Sequence, residues 1–468
     1  MMTLAAEKET AVLANNFQGK LIYPGDADYD EARAIWNGMI DRRPAIIARC
    51  ATVSDVQAAV NFARESGLPL SVRGGGHNVA GHAVNDDGLV IDLSRMNHVT
   101  VSVERQLVYA GGGATIADVD KATQKFGLAV PLGVVSETGV AGLTLSGGYG
   151  HLRNKYGLSA DNLVAATVVT ADGRIVQANE KENSDLLWGL RGGGGNFGIV
   201  TNFVYKAYPV GPEVYVTAVF HHGDYAKEGL QLYREFNAIA PDDVSVLGVL
   251  GIVPDGAEPF PEHTHGQRFV AYVGMYAGDP AEGEAVMRPL RQLSAEPLAD
   301  FSGVMPYLDV QQFFDEDYPA GVLRYYWKSL NLLTLDDAAI ERIVEHAYQQ
   351  PSHHSTTDLW HIGKGVKRFG SEHGAFYGRH AAYLLNPEAN WEDAADDEAN
   401  ISWVRDMVEA MAEYSDGSRY LNFAGFQEEG DAMMQASYGS QYQRLAELKQ
   451  KYDPTNLFSR NANIKPGH

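Results

Sequence analysis

One cysteine, Cys50, stands in 468 residues, so the chain can form neither an internal disulfide nor a multi-thiolate metal site, which fits a reducing compartment. Basic residues are scarce as well: 37 Lys and Arg face 60 Asp and Glu, a net charge of -23. No basic run resembles a phosphate-backbone footprint, so nucleic acid is not an expected partner. No run of about 18 apolar residues occurs, and the opening MMTLAAEKETAVLANNF mixes charges into its apolar positions. Neither a membrane span nor a signal-peptide core is therefore expected, and the expected location is the cytoplasm. The motifs G-x-x-x-x-G-K-[ST], G-x-S-x-G and H-E-x-x-H are missing, which removes the usual grounds for a P-loop ATPase, an α/β-hydrolase or a zincin. Asp26, Asp28 and Asp30 begin like a calcium loop, but Glu31 stands where the sharp turn needs glycine. They read as a turn, and no metal site is expected.

What the chain has is glycine, 49 of them, clustered rather than spread. With 45% hydrophobic residues it can bury a large core. PAIIARC, ATVSDVQAAVNFARESG and LPLSVRGGG read as strand, capped helix and strand. IADVDKATQKFG predicts a helix stopped by Gly127, and NLVAATVVTADGRIVQA a hairpin turning at Asp172-Gly173. Residues 185–191 read as a short helix before the strand IVTNFVYKAYPV. Up to about Val210 short strands and helices alternate, as in an α+β domain. Beyond it EVYVTAVFHH, VSVLGVLGIV and QRFVAYVGMYAG predict one antiparallel sheet, interrupted by helices such as YAKEGLQLYREFNAIA. Residues 391–416 carry nine carboxylates and one arginine around an apolar stripe, which predicts an amphipathic helix with a solvated acidic face.

Three glycine loops carry the chemistry. Gly193, Gly195 and Gly198 in RGGGGNFG formally satisfy G-x-G-x-x-G, but a helix precedes and a strand follows, the reverse of a dinucleotide fingerprint. Arg73-Gly74-Gly75-Gly76-His77-Asn78 follows a strand, and its backbone N–H groups are able to converge on an anion such as a pyrophosphate; a tight bend at a sheet edge is the other reading. Residues 130–162 hold Gly133, Gly139, Gly142, Gly147, Gly148, Gly150 and Gly157 among apolar neighbours. Backbone lying flat against a large planar ligand would need that many missing Cβ atoms.

These loops, in this order, resemble the FAD-binding domain of the vanillyl-alcohol oxidase (PCMH-type) superfamily, and within it the berberine bridge enzyme-like branch. The tail segments RYLNF and DPTNLFSRNANIKP resemble the same branch. The resemblance implies an α+β, two-domain fold: an FAD domain from residues 1–209 with 420–468 returning to it, and an antiparallel-sheet substrate domain, residues 210–419, covered by helices. It implies FAD held by residues 73–78, Gly133, Thr138, Gly139, Gly142, Gly147, Gly148, Gly150, Tyr156, Gly157, Asn162, Gly198, Ile199, Val200, Tyr420, Asn422 and Asn461. His77 falls where the branch links covalently to the flavin 8α carbon. Val135 stands where many members place a second, cysteinyl tether, so a single histidyl link is expected. Thr138 falls where a small apolar residue governs oxygen access, which leaves oxidase and dehydrogenase chemistry both open.

Tyr149 matches an active-site tyrosine near the flavin. The branch's Y-x-N-Y reads Tyr420-Leu421-Asn422-Phe423 here, and Phe423 has no proton to exchange, so the base deprotonating a substrate must lie elsewhere. Asp358 and His361, on the strand DLWHIGKGV, are the candidates, and strand alternation lets at most one face the flavin. Tyr326 and His380 are weaker ones. Tyr325, Tyr326, Trp327, Trp360 and Phe376 are pocket aromatics or core. The resulting expectation is hydride transfer from a C–H next to O or N of a small phenolic, alkaloid-like, polyketide-like or sugar substrate to flavin N5, with O2 or another carrier as acceptor. A dehydrogenase, or a flavin-bearing binding protein with a degenerate site, is the alternative.

Overall fold

Strand, helix and strand at the start of the first glycine loop form as the sequence indicates: Ile46–Arg49, Val53–Ser66 and Leu70–Arg73. Thr52 caps the helix in a reciprocal box with Asp55, and Gly67, at φ 70°, ends it. Both strands pair parallel to Leu89–Asp92 between them, and Lys20–Ile22 adds an antiparallel edge. The computed structural model describes residue 13 and residues 17–467, so the opening segment weighed for a targeting signal lies outside them apart from Leu13 and Phe17.

A five-stranded antiparallel sheet follows, with Ile199–Lys206 at its centre between Leu107–Gly111 and Leu163–Val169. Leu163–Val169 and Ile175–Asn179 are the expected hairpin, with Gly173 at φ 79° in its turn. Helix Ser184–Leu190 packs under this sheet together with the C-terminal helix Tyr442–Tyr452. Leu445, Leu448, Tyr452 and Ile464 enter the same core as Leu187 and Phe197, so the tail is built into the first part of the chain.

Between these segments lies a nine-stranded sheet containing Glu213–His222, Val244–Ile252, Arg268–Tyr276, Thr356–His361 and Tyr383–Trp391. Helices Ala226–Ile239, Pro280–Arg291 and Asp337–Ala347 cover one face through Leu230, Met287 and Ile340. The other face, with Leu247, Val249, Ala271, Trp360 and Leu384, meets Tyr149, Phe376 and Tyr420. The strands are thus apolar on both faces, which is why their in-out alternation is faint in the sequence. Two bodies, α+β and sheet-with-helices, close on a shared seam, and the site lies in that seam. Among the described residues no helix is long and apolar enough to cross a membrane.

Candidate active site

One cavity runs along the seam, walled on one side by the glycine loops and on the other by the large sheet. Gly74, Gly75, Gly76, His77 and Asn78 line it directly after strand Leu70–Arg73. The N–H groups of Gly75, Gly76, His77 and Asn78 donate to no acceptor among the described residues, so successive donors stand unspent in a loop that lines the cavity. A row of unspent donors is an anion nest. Gly75 and Gly139 press together so closely that a Cβ on either would lie 2.3 Å from the other's nitrogen. That contact docks the first loop on the second. Gly142 and Gly195 also line the cavity; a Cβ on Gly142 would meet nothing within 4 Å, and one on Gly195 only Asn461 at 3.9 Å. Gly133, Thr138, Gly139, Gly198, Ile199, Val200, Asn422 and Asn461 share this wall.

His77 stacks on Trp36 with ring centroids 5.0 Å apart, and its Nδ1 lies 3.4 Å from the Thr138 hydroxyl. Withdrawal from water holds its imidazole down at about 4, so near neutral pH the ring is uncharged and keeps a lone pair. Val135 lines the cavity, whereas Cys50 is buried in a separate core with Val56 and Ile91. The chain's one thiol therefore has no access to the site.

Opposite this wall, the strand Thr356–His361 puts Asp358 and Trp360 on the cavity and Leu359 into the helix-side core. Glu388 joins them from the neighbouring strand: Asp358 registers with Asn386 and Thr356 with Glu388, so the two carboxyls are diagonal neighbours on one face. Burial pushes the Asp358 carboxyl up to about 7, against a smaller downward pull from the Thr356 hydroxyl and with the Asp317 charge adding to the rise. Burial and then Asp358 itself hold Glu388 well above the carboxylate range. The Tyr318 hydroxyl donates to Glu388 at 2.8 Å. Asp358 Oδ1, Trp360 Nε1 and the Tyr149 hydroxyl are buried, belong to residues that line the cavity and have no partner among the described residues. Tyr149 packs edge-on against Tyr420, whose oxygen accepts from Gly148 N at 3.0 Å and Asn422 Nδ2 at 2.8 Å. Burial moves the Tyr420 phenol up to about 12. Phe423 lines the cavity with no exchangeable proton.

Several residues expected at the site lie elsewhere. His361 faces away from Asp358: its Nδ1 meets Asn154 at 3.3 Å and its ring leans on Tyr383. Tyr326 points to the other side of its strand from Trp327 and gives its hydroxyl to Glu428. His380 is bound to Asp416 at 2.7 Å near the surface. Arg73 reaches back to Ala32 O at 2.8 Å, anchoring the nest from behind. Gly147 and Gly148, at φ 127° and 88°, make the turn that presents Tyr149, and a Cβ on Gly150 would strike Leu132 O; none of the three lines the cavity. Tyr156 stacks on Tyr208 at 3.8 Å, Asn162 ties Tyr156 O and Leu158 O, and Gly157 sits against Asp161, so these three shape the loop from outside the cavity. Of the aromatics, Trp327 and Trp360 line it, Tyr325 stacks behind Trp36, and Phe376 supports Tyr149. Trp36, Tyr318 and Glu388 are lining residues the sequence reading missed. A carboxylate amid the apolar strand YLLNPEANW was the one signal available for Glu388.

Free N–H donors, Cβ-less walls and a neutral histidine suit a long ligand with an anionic linker and a planar ring, as FAD has. The FAD binding domain family matches residues 44–179, and the berberine and berberine like family residues 419–465. An FAD-linked oxidoreductase of Dictyostelium discoideum is 30% identical over 457 residues, spanning 96% of this chain and 95% of that protein. The (R)-6-hydroxynicotine oxidase of Paenarthrobacter nicotinovorans is 42% identical over 193 residues, 41% of this chain and 42% of that protein. The crystal structure of 6-hydroxy-D-nicotine oxidase from Arthrobacter nicotinovorans superimposes with a TM-score of 0.84 at 28% identity, over 97% of this chain and 99% of that one. With its fold, its glycine-lined cavity and both family segments in place, the chain belongs to the berberine bridge enzyme-like FAD-linked oxidoreductases of the vanillyl-alcohol oxidase superfamily.

Proposed function

We propose that the protein is an oxidase with one flavin, tethered through His77, that oxidises a C–H bond next to O or N of a small organic substrate and passes the electrons to O2. The observation that carries this reading is His77 itself: a neutral imidazole on the cavity wall, continuous with the nest of free N–H donors. The nest at Gly75 to Asn78 would hold the pyrophosphate, and the gaps left by Gly142 and Gly195 would admit the rings. Bound FAD supplies the two-electron acceptor. Asp358, held near 7, is the residue suited to take a proton from the substrate near neutral pH, a role Phe423 cannot fill. Tyr149 offers its unspent hydroxyl for orienting the reacting group. The matching relatives named as oxidases support O2 as the acceptor. In this reading residues 1–209 with 420–468 form the FAD domain and residues 210–419 the substrate domain.

Acid precipitation tests it: wild type is expected to carry yellow flavin into the pellet and His77→Ala to release it. A wild-type pellet without flavin refutes the tether, and a colourless protein that FAD does not reconstitute refutes the use of the cavity. The Thr138 hydroxyl beside His77 favours a second reading, a dehydrogenase with a non-oxygen acceptor. Stopped-flow reoxidation of the photoreduced protein by air separates the two, because slow reoxidation is incompatible with an oxidase.

A further inference from the structure

Every buried carboxylate in a folded chain must be neutralised, paired or hydrogen-bonded. Among the described residues the buried acids are Asp55, Asp92, Asp120, Asp161, Asp358, Glu388 and Asp453. Asp92, Asp161 and Asp453 are paired with Arg49, Arg379 and Lys449. Asp55 accepts backbone N–H groups at its helix start, and Asp120 accepts from Gln311. Asp358 and Glu388 differ from all of these. Neither has a cation, Asp358 Oδ1 has no partner at all, and both open onto the same cavity.

The walls beside them are aromatic. Trp36 and Trp327 meet edge to face at 5.1 Å, Tyr318 packs edge-on to Trp327 at 5.2 Å, and Trp360 stands two residues along the strand from Asp358. Two carboxyls without a cation, inside an aromatic enclosure, make a site for an organic cation, which the acids attract and whose apolar part the aromatic walls shield from water. The one Lys or Arg side chain on the cavity wall, among the described residues, is Arg460, which lies in the tail segment beside Asn461.

Resting on the flavin reading above, the geometry points to a substrate that is a protonated amine, with its ammonium group held between Asp358 and Glu388 and its apolar body against Trp36, Trp327 and Trp360. A primary, secondary or tertiary ammonium there passes its proton to an Asp358 oxygen: the N–H bond breaks, its electron pair stays on nitrogen, and the O–H bond forms. Asp358 is then the proton acceptor, and Glu388 a positioning residue that acts on the charge of Asp358.

Calorimetric titration of the holoenzyme at pH 8 with 4-hydroxybenzylamine, benzyltrimethylammonium and 4-hydroxybenzyl alcohol tests this. Both cations are expected to bind at least tenfold more tightly than the alcohol. Asp358→Asn and Glu388→Gln are each expected to weaken the cations at least tenfold and to leave the alcohol unchanged. Glu388→Gln carries the same expectation should Asp358→Asn not fold. Equal binding of cation and alcohol, no binding by the cations, or cation affinity unmoved by both substitutions overturns the inference. The visible spectrum of the same samples keeps the two readings apart. Yellow protein without cation preference removes the amine assignment alone, and colourless protein that still prefers cations removes the flavin reading alone.

Discussion

Replacing Asp358 by Asn removes a carboxyl that burial holds at about 7, against about 3.9 in an unfolded chain. Between those pH values the folded protein keeps a proton that the unfolded chain releases. Stability therefore falls as pH rises through the window, by up to about 1.4 kcal/mol per unit and by a few kcal/mol in all, and below about pH 4 the penalty vanishes because both states are protonated. Unfolding entropy of about 2.1 cal/mol/K per residue over 468 residues makes 1 kcal/mol worth about 1 °C in Tm. Asp358→Asn should thus melt a few degrees above wild type at pH 8 and show none of that gain at about pH 4. Scanning calorimetry on samples matched in flavin content measures it. A pH-independent offset, or a loss at pH 8, would mean that Asp358 has a cation or donor in the folded protein and that the uncompensated-acid argument is wrong. A gain in stability with a loss of turnover would mark the carboxyl as kept for function at a cost to the fold.

Gly142→Ala should fold like wild type, because the new methyl meets nothing within 4 Å, yet lower the flavin-to-protein ratio by occupying ligand space. Gly75→Ala drives its methyl to 2.3 Å from Gly139 N, so both Tm and flavin content should fall together. Lys449→Met leaves Asp453 buried without its cation and strips the donor from Asn196 O and Phe458 O, a loss of about 3–5 kcal/mol, read as a Tm lower by about 3–5 °C. Val135→Cys places a thiol on the cavity wall and should restore acid-stable yellow colour to the His77→Ala protein, checked by the same precipitation.

The parts of this molecule that could be read from its sequence are those where local chemistry leaves few options. Gly74 to Asn78 announce free backbone donors after a strand, and the strand, helix and strand before them carry their own caps. Strand alternation separated Asp358 from His361 onto opposite faces, but which face meets the cavity depends on what packs behind the sheet. Trp36, Tyr318, Trp327 and Glu388 come from segments far apart along the chain, so nothing local marks them as one enclosure. Gly147, Gly148, Gly150 and Gly157 lie off the cavity lining, and a glycine required by its own turn looks in one dimension like one required by a ligand. Only the position a Cβ would take tells Gly150, against Leu132 O, from Gly142, against open space.

Charge gives the two walls of the cavity different tasks. A chain of net charge -23 repels a dianionic cofactor at long range, so the hold on it must come from short-range donors such as the nest at Gly75 to Asn78. The same field draws cations toward the seam, where Asp358 and Glu388 have no cationic partner among the described residues and Glu388 accepts only from the Tyr318 hydroxyl. Salt acts differently on these two contributions. Steering by the whole protein acts across solvent and is screened beyond about 8 Å at physiological ionic strength, whereas a pair of buried carboxyls is screened far less. The association rate of benzyltrimethylammonium should therefore fall steeply between about 10 mM and about 300 mM salt, while its dissociation rate changes little. Stopped-flow quenching of Trp36, Trp327 and Trp360 fluorescence follows both. A dissociation rate that rises with salt as steeply as association falls would place the cation on the exposed acidic surface and not between the two buried acids.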